Sequence, residues 1–470
     1  LISKSQLEEE YKMAAVRENL FKNLKKVDRN TITFTLSPTR VSYANTLRRA
    51  VQTEVDVLGF RSDITENGST SDVKILKNST PMSNEMLADR IGLIPLALPK
   101  KQVSGWKKQS VLFKLHVKNE STDEMRYVTA SDFECLMEKE GVEERERIPN
   151  TNFFYPDRLT GETCLIAVLK PMVLGQKPEE IEIEAYASLG KGKEHARFNP
   201  TCQCSYGYTR DESPAKVMAL WQDWLITQKK IDPKELEKTP EKKVLLEREF
   251  RSLSIFRCYL EDKEGEPYSY DFTIETLGYM GINKIVYSAL LSIASLAKKY
   301  ASMDRGDLPE NIEIRPADAS LKGFDLVFRG EDHTFGNMIQ TWLDDNKVGQ
   351  GVVTYAGYKI PHPLRKELVL RIGVEEEKES VVRRVLAEAA KGCSDMFMSW
   401  ANMWMKAIET AGEMDEDFIT PVQLEEGEAE VAPEFYETTT WKQHEKARLK
   451  KLEEGIALDK KKTALKTEKK

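Results

Sequence analysis

The chain has 470 residues, a length that suggests about three domains, with 40% hydrophobic residues and a formal net charge of −7. The acidic balance argues against a body built as a basic nucleic-acid-binding surface, and no apolar run approaches membrane-spanning length. Six scattered cysteines (Cys135, Cys164, Cys202, Cys204, Cys258, Cys393) fit a reducing, intracellular compartment better than a disulfide framework. No signal peptide is visible, so the N-x-S/T triplets at Asn67, Asn78 and Asn119 are expected to carry no glycan. The first residue is Leu1 rather than methionine, which leaves the true N-terminus open.

In chain order, Leu1–Val27 is charged with sparse apolar residues (Val16, Leu20, Leu24) and predicts a helical arm over 1–30. Thr31–Leu36 reads as a strand that turns through a polar loop into an amphipathic helix. Ser62–Asn78 is rich in turn residues. Pro81–Leu98 predicts a helix from about Asn84, then an apolar strand-like run ending near Pro99. Val111–Val117, Met125–Ser131, Leu165–Leu169 and Ile181–Ala185 alternate with period two, as half-buried strands do. Gly190–Pro200 reads as a flexible basic loop, and Pro214–Arg248, with Trp221 and Trp224, as charged helix. Asp271–Gly278 places Phe272, Ile274 and Thr276 on one strand face, and Ile282–Lys299 is helical with Ile285, Ala289, Ile293 and Leu296 apolar. Ala301–Asn311, with Gly306 and Pro309, is a linker. Lys366–Gly373 is a further strand. Ser380–Glu409 is a helix, apolar at Val381, Val385, Ala389, Phe397, Trp400 and Trp404. Gly412–Glu430 is acidic and Trp441–Lys470 basic, without the apolar density for a core.

One stretch occurs twice. Ile32–Ala50 lies over Phe324–Trp342 without a gap, each copy a strand, a polar loop and a helix. Ser42 and Thr334 stand as matching N-caps, with Asn45 and Asn337 three residues on, at capping-box spacing. Tyr43, Leu47, Ala50 and Val51 match Phe335, Ile339, Trp342 and Leu343, each set one helical stripe. The expected fold is therefore α+β. Two related modules, 31–57 plus 250–300 and 312–410, are joined by the linker 301–311. The first is interrupted by an inserted, mainly β domain over 58–249, and a tail follows over 411–470. Each module is a small sheet with helices on one face, so the two are expected to bury their apolar stripes in a pseudo-dimer, helped by covalent linkage.

Residues that could carry chemistry are few. Gly190-Lys191-Gly192-Lys193 lacks the arrangement of a phosphate loop. Cys202-x-Cys204 would place two thiols on one strand face without a second ligand pair nearby. The five histidines (His116, His195, His333, His362, His444) are separated, and neither HExxH nor GxSxG occurs. No catalytic residue, cofactor or metal is expected. Arg48 and Arg49 lie off the apolar stripe, and the second copy has Gln340 and Thr341 there. The repeated fold therefore does not demand these arginines, and a partner carrying carboxylates would use them.

VSYANTLRRA, LADRIGLIPL, KGKEHARFNP and YSYDFTIETLG, in that order, resemble the third-largest subunit of eukaryotic RNA polymerase II and the D subunit of the archaeal enzyme. EDHTFGNMI, YAGYKIPHPL and ELVLRIG resemble the eleventh subunit of polymerase II and archaeal subunit L. Both families are similar to the N-terminal domain of the bacterial alpha subunit, and their union in one chain resembles the fused form of some large DNA viruses. The resemblance covers roughly Thr31–Glu409. It implies a non-catalytic assembly platform on which the two large catalytic subunits dock, with other small polymerase subunits as partners, DNA reached only indirectly and no membrane. A viral chain would be expected in the virion and in host cytoplasm or nucleus. By resemblance, Asn45, Leu47, Arg48 and Arg49 belong to the first dimerisation helix, with the arginines facing a large subunit. Leu87, Asp89, Arg90 and Gly92–Pro95 belong to the inserted domain, Arg90 being a further docking candidate. His333, Thr334, Gly336, Asn337, Tyr358, Lys359, His362 and Pro363 are the small-subunit signature. Some relatives carry a zinc loop or an iron–sulfur cluster in the inserted domain, but Lys100–Ser110 has no cysteine and no metal is carried over. Two other classes stay open: a nucleic-acid-binding architectural protein acting through the basic tail, and an enzyme using the Gly190 loop.

Overall fold

The computed structural model describes residues 19–62, 72–97, 106–138, 145–157, 160–236, 239–317, 322–348, 351–376 and 378–412. The expectations for the first 18 residues and for the tail from 413 lie outside them. Two compact units divide within helices rather than in the 301–311 segment. One runs to Ser292 and takes in the chain again from Trp400; the other is Ile293–Ser399.

The first unit begins with strands β1 (Phe21–Lys26) and β2 (Thr31–Leu36), helix α1 (Val41–Thr53) and β3 (Asp56–Gly59). Then come β4 (Val73–Asn78), α2 (Asn84–Gly92), β5 (Val111–Lys118), β6 (Arg126–Thr129), β7 (Glu134–Met137), β8 (Glu146–Ile148), β9 (Leu165–Leu169), β10 (Glu180–Tyr186) and β11 (Ser188–Lys191). It continues through β12 (Thr201–Tyr208), α3 (Pro214–Trp224), a π-helical turn (Leu225–Lys229), α4 (Pro233–Leu236), α5 (Pro240–Ser252) and β13 (Tyr270–Thr276). Helix α6 (Ile282–Lys298) follows. The strands make antiparallel sheets in the orders β1-β2-β13-β12 and β4-β10-β5-β7-β8, with the pairs β3–β11 and β6–β9 apart. The pairing β2–β13 sets Phe34 opposite Phe272 and Ile32 opposite Ile274, so both apolar faces coincide.

The second unit holds β14 (Ile312–Pro316), β15 (Gly323–Arg329), α7 (His333–Asn346), β16 (Val353–Lys359), β17 (Glu367–Val374) and most of α8 (Glu379–Ala411). Its sheet order is β14-β15-β17-β16, with Leu326 opposite Leu370 and Phe328 opposite Leu368. The two sheets share one plan. The strand before the first helix pairs with the strand before the second helix, and each is flanked by one outer strand. The repeat thus extends to four strands, of which the sequence shows two.

Several local expectations are corrected. The segment at the end of the predicted arm is strand β1, not helix: Phe21 is buried and pairs across from Leu36, which turns the segment into a sheet edge. Helix α1 starts at Val41 with no side-chain cap, so Ser42 does not cap it. In α7 the cap is Asp332, whose Oδ1 accepts from the Thr334 N–H at 2.8 Å. The run after α2 forms no strand. Ile94, Leu96 and Ala97 are buried in the core while Ala97 N–H donates to the Phe153 carbonyl. The 58–249 segment is not one mainly β body, because β12 hydrogen-bonds into the β2–β13 sheet and α3 to α5 are helical. In α8, Val385, Ala389, Phe397, Trp400 and Trp404 are buried as expected, while Val381 is half-buried and its neighbour Val382 is buried instead.

Candidate protein-docking sites

Tyr43, Ala44, Leu47, Ala50 and Val51 of helix α1 are buried, which follows from their shared helical face, and Thr46 is buried with its hydroxyl donating to the Ser42 carbonyl at 2.8 Å. The edge of the Tyr43 ring meets Trp400 at 6.5 Å between centroids. Asn45, Arg48, Arg49 and Gln52 stay half-exposed. Arg48 is braced by its own helix: Nε donates to Asn45 Oδ1 at 3.0 Å and Nη1 to Gln52 Oε1 at 3.1 Å. These are i−3 and i+4 partners, neighbours on one helical face. Its charge reaches β12, where it opposes the rise in the pKa of Cys204 and of Tyr206. A guanidinium already ordered by neutral amides loses less freedom when it meets a carboxylate.

The C-terminal end of α1 is held by the Gly190 loop. Lys193 N–H donates to the Thr53 carbonyl at 3.1 Å, and Lys191 Nζ lies 3.4 Å from Glu54. Donors and cations at a helix C-terminus satisfy orphan carbonyls and favour the dipole. The glycines are required by closeness. A Cβ on Gly192 would sit 2.1 Å from the Gln52 carbonyl oxygen, and one on Gly190 2.6 Å from the Phe198 ring. Gly190 itself lies in β11, paired with Val57 of β3. The expected flexible loop is therefore a strand end and a clasp.

The motifs LADRIG and KEHARF meet in one polar network. Arg197 Nη1 donates to the Phe60 carbonyl at 2.8 Å and to Ser62 Oγ at 2.6 Å, and Ser62 Oγ donates to Asp89 Oδ1 at 2.8 Å. Arg61 forms a fork on Glu194, with Nε at 2.6 Å and Nη2 at 2.8 Å, which holds the Glu194 carboxyl below its ordinary range. Arg61 N–H and Ser188 Oγ both donate to buried Asp72, and Lys108 closes on the other oxygen. Arg90, on α2, is turned onto β9, donating to the carbonyls of Ile166 (3.0 Å) and Leu165 (3.1 Å). Arg197→Met should cost about 2–3 kcal/mol, because it strands partners of a charged donor. Urea denaturation checks this, and an unchanged midpoint would show the network to be dispensable.

In the second unit the signature residues gather around Tyr358. His333 Nδ1 lies 3.2 Å from the Tyr358 hydroxyl, and Tyr358 N–H donates to Gln340 Oε1 at 3.0 Å. A Cβ on Gly336 would come within 2.5 Å of the Tyr358 ring and 2.6 Å of Leu368, so only glycine lets β16 and β17 approach α7 this closely. Phe335, Ile339, Trp342 and Leu343 are buried, and Asn337 is half-buried. Lys359, the last residue of β16, is exposed, as are His362 and Pro363 beyond it, where His362 Nδ1 accepts from Leu364 N–H at 3.2 Å. Gln340, the counterpart of Arg48, is thus engaged within its own module.

The thiols do not converge. A register shift between Thr201 and Gln203 leaves Cys202 exposed and Cys204 buried, so the expected shared face is lost. Burial pushes the Cys204 thiol up to about 12 and that of Cys135 likewise, away from the thiolate that metals need. Among the described residues one group of three possible ligands meets: His116, Glu180 and Glu182. Lys77 and Lys118 already pair with Glu180 there. Among the described residues no helix is long and apolar enough to cross a membrane.

The second unit is an α+β domain in which a four-stranded sheet is accompanied by helices that bury apolar stripes, and sequence comparison specifies what it resembles. Residues 324–402 match the RNA polymerase Rpb3/Rpb11 dimerisation domain. DNA-directed RNA polymerase subunit Rpo3 of Methanothermobacter thermautotrophicus is 28% identical over 189 residues, 39% of this chain and 60% of that protein. Rpo3 of Pyrococcus furiosus is 24% identical over 291 residues, 58% of this chain and 92% of its own. DNA-directed RNA polymerase II subunit rpb3 of Dictyostelium discoideum is 29% identical over 192 residues, 39% of this chain and 55% of its own. The chain thus spans little more than half the length of some of these relatives. It is related to the alpha-like subunits of RNA polymerase, as its motifs imply.

Proposed function

We propose that the chain is a non-catalytic assembly platform of a DNA-directed RNA polymerase, with its two modules paired as a pseudo-dimer and the segment after α1 inserted into the first. One observation carries the reading: the same sheet order and helix placement occur twice in a chain related to Rpo3 and Rpb3. The end of α8 adds support, because the residues from Trp400 complete the core of the first unit. The partners are the two large catalytic subunits and other small subunits, with Arg48 and Arg49 offered to carboxylates of a large one.

The test is Arg48→Ala with Arg49→Ala. Half-exposed side chains off the apolar stripe should change stability by within about 0.5 kcal/mol. Capture of the large subunits should weaken by several kcal/mol if the arginines are buried against carboxylates in the complex. Thermal melting and pull-down are run side by side. Unchanged capture removes the docking role, and a large fall in melting temperature assigns the pair to the fold instead.

A further inference from the structure

The two edges of the β1-β2-β13-β12 sheet are built differently. β1 carries Lys22, Lys25 and Lys26, and its pairing is irregular between Lys22 and Lys25, with Asn23 at φ 52°. Edge lysines and bulges keep other chains from pairing with a strand. β12 runs for 8 residues and has no charged side chain. Its register shift lies at its start, and from Gln203 to Tyr208 it pairs regularly with β13. Just beyond, Thr209 N–H donates to the Ser269 carbonyl at 3.0 Å. Alternate residues of an antiparallel pair exchange backbone bonds. Gln203, Ser205 and Gly207 therefore bond to β13, and the backbone groups of Cys204, Tyr206 and Tyr208 point away from it. Among the described residues no strand pairs with that outer edge.

The side chains beside this edge are of the kinds that anchor protein interfaces, tyrosine and arginine. The Tyr206 ring lies 5.4 Å from Tyr270 and 5.3 Å from Phe272. Tyr208 is 44% exposed, with its ring 4.9 Å from that of Tyr259. Arg48 of α1 is close enough for its charge to act on Cys204 and Tyr206. The carboxylates of the adjoining strand, Asp271 and Glu275, alternate onto the face opposite Tyr270, Phe272 and Ile274, so the charge beside Tyr206 on this face is positive. We propose that a large polymerase subunit adds an extended segment to the free edge of β12 as a further strand, with a carboxylate of that segment on Arg48. Backbone bonds along the edge supply affinity and the side-chain contacts supply selectivity. The proposal rests on the docking reading of Arg48 given above and names the form its partner takes.

The experiment compares amide hydrogen exchange, residue by residue, in the free full chain and in the complex purified after co-expression with the large subunits. The outward amides of Cys204, Tyr206 and Tyr208 should exchange about tenfold more slowly in the complex, or slower still. Two variants isolate the backbone: Tyr208→Pro removes one outward donor, whereas Tyr208→Thr loses the same ring and keeps the donor. Proline is tolerated on an edge where its missing N–H faces solvent. The proline variant should capture the large subunits about tenfold more weakly than the threonine variant, at the same melting temperature. The exchange measurement needs no variant and stays decisive if the proline chain misfolds. Unchanged exchange at the three amides, or equal capture by the two folded variants, would overturn the edge assignment. If Arg48→Ala with Arg49→Ala still lost capture, the docking reading would survive that failure. A parent chain that captured no large subunit would overturn both. Amides already protected in the free chain, or increasingly so as its concentration rises, would give the edge to the chain itself or to a second copy and overturn the assignment.

Discussion

Leu47→Asp and Ile339→Asp should each leave no soluble, folded protein. Both positions are fully buried, one in each unit. A carboxylate there has no partner, and burying an unpaired charge costs many kcal/mol or forces the group to neutralise. A domain's whole stability is about 5–15 kcal/mol, so either substitution consumes most of it. Leu47→Met and Ile339→Met are the controls, since volume-conserving apolar changes usually cost less than about 1.5 kcal/mol. The readout is the soluble fraction on expression and the melting profile of what is soluble. Aspartate variants that stay soluble and melt with the parent would defeat the claim that these stripes form the core. They would also remove the basis for pairing the modules.

Trp404→Ala should be the most damaging single truncation in the first unit, at about 3–5 kcal/mol for a lost buried aromatic. Trp404 is fully buried, with ring centroids 5.1 Å from Phe21 and 5.2 Å from Phe34. Phe34 in turn stacks on Phe272 at 5.0 Å. The indole N–H donates to the Asn283 carbonyl at 3.1 Å, and truncation strands that acceptor. Trp404→Phe separates the two contributions, because it keeps a ring but loses the donor, and it should recover more than half of the loss. Urea denaturation gives both values. A cost below about 1 kcal/mol for the alanine variant would mean that the last turns of α8 do not complete this core.

The aspartate variants and the Arg48→Ala with Arg49→Ala change test features of different legibility. Leu47 and Ile339 were readable because an apolar stripe on a helix is a local pattern, and a second copy of it in the same chain checks the reading. Arg48 and Arg49 stood out for the complementary reason, a difference inside the repeat. The bracing of Arg48 by Asn45 and Gln52 was also within reach, since i−3 and i+4 neighbours follow from helix geometry alone. The network joining Asp89, Ser62 and Arg197 was not. Its members lie far apart in sequence, and nothing local distinguishes an arginine that donates to a distant carbonyl from one in water.

By itself, then, the sequence determined the α+β character, the repeated strand–helix unit, its buried stripe and the resemblance to polymerase subunits. All rest on periodicities and motifs that a short window contains. Tertiary structure alone decided that β1 and β12 join the β2–β13 sheet, because a strand's partner is chosen by long-range pairing and burial. It also decided that Asp332 rather than Thr334 caps α7, since backbone geometry at the turn sets which oxygen meets the free N–H. The separation of Cys202 from Cys204 followed from a register shift that reverses side-chain direction. The Gly190 loop became a clasp because its glycines let it approach the end of α1 and the Phe198 ring more closely than any side chain permits.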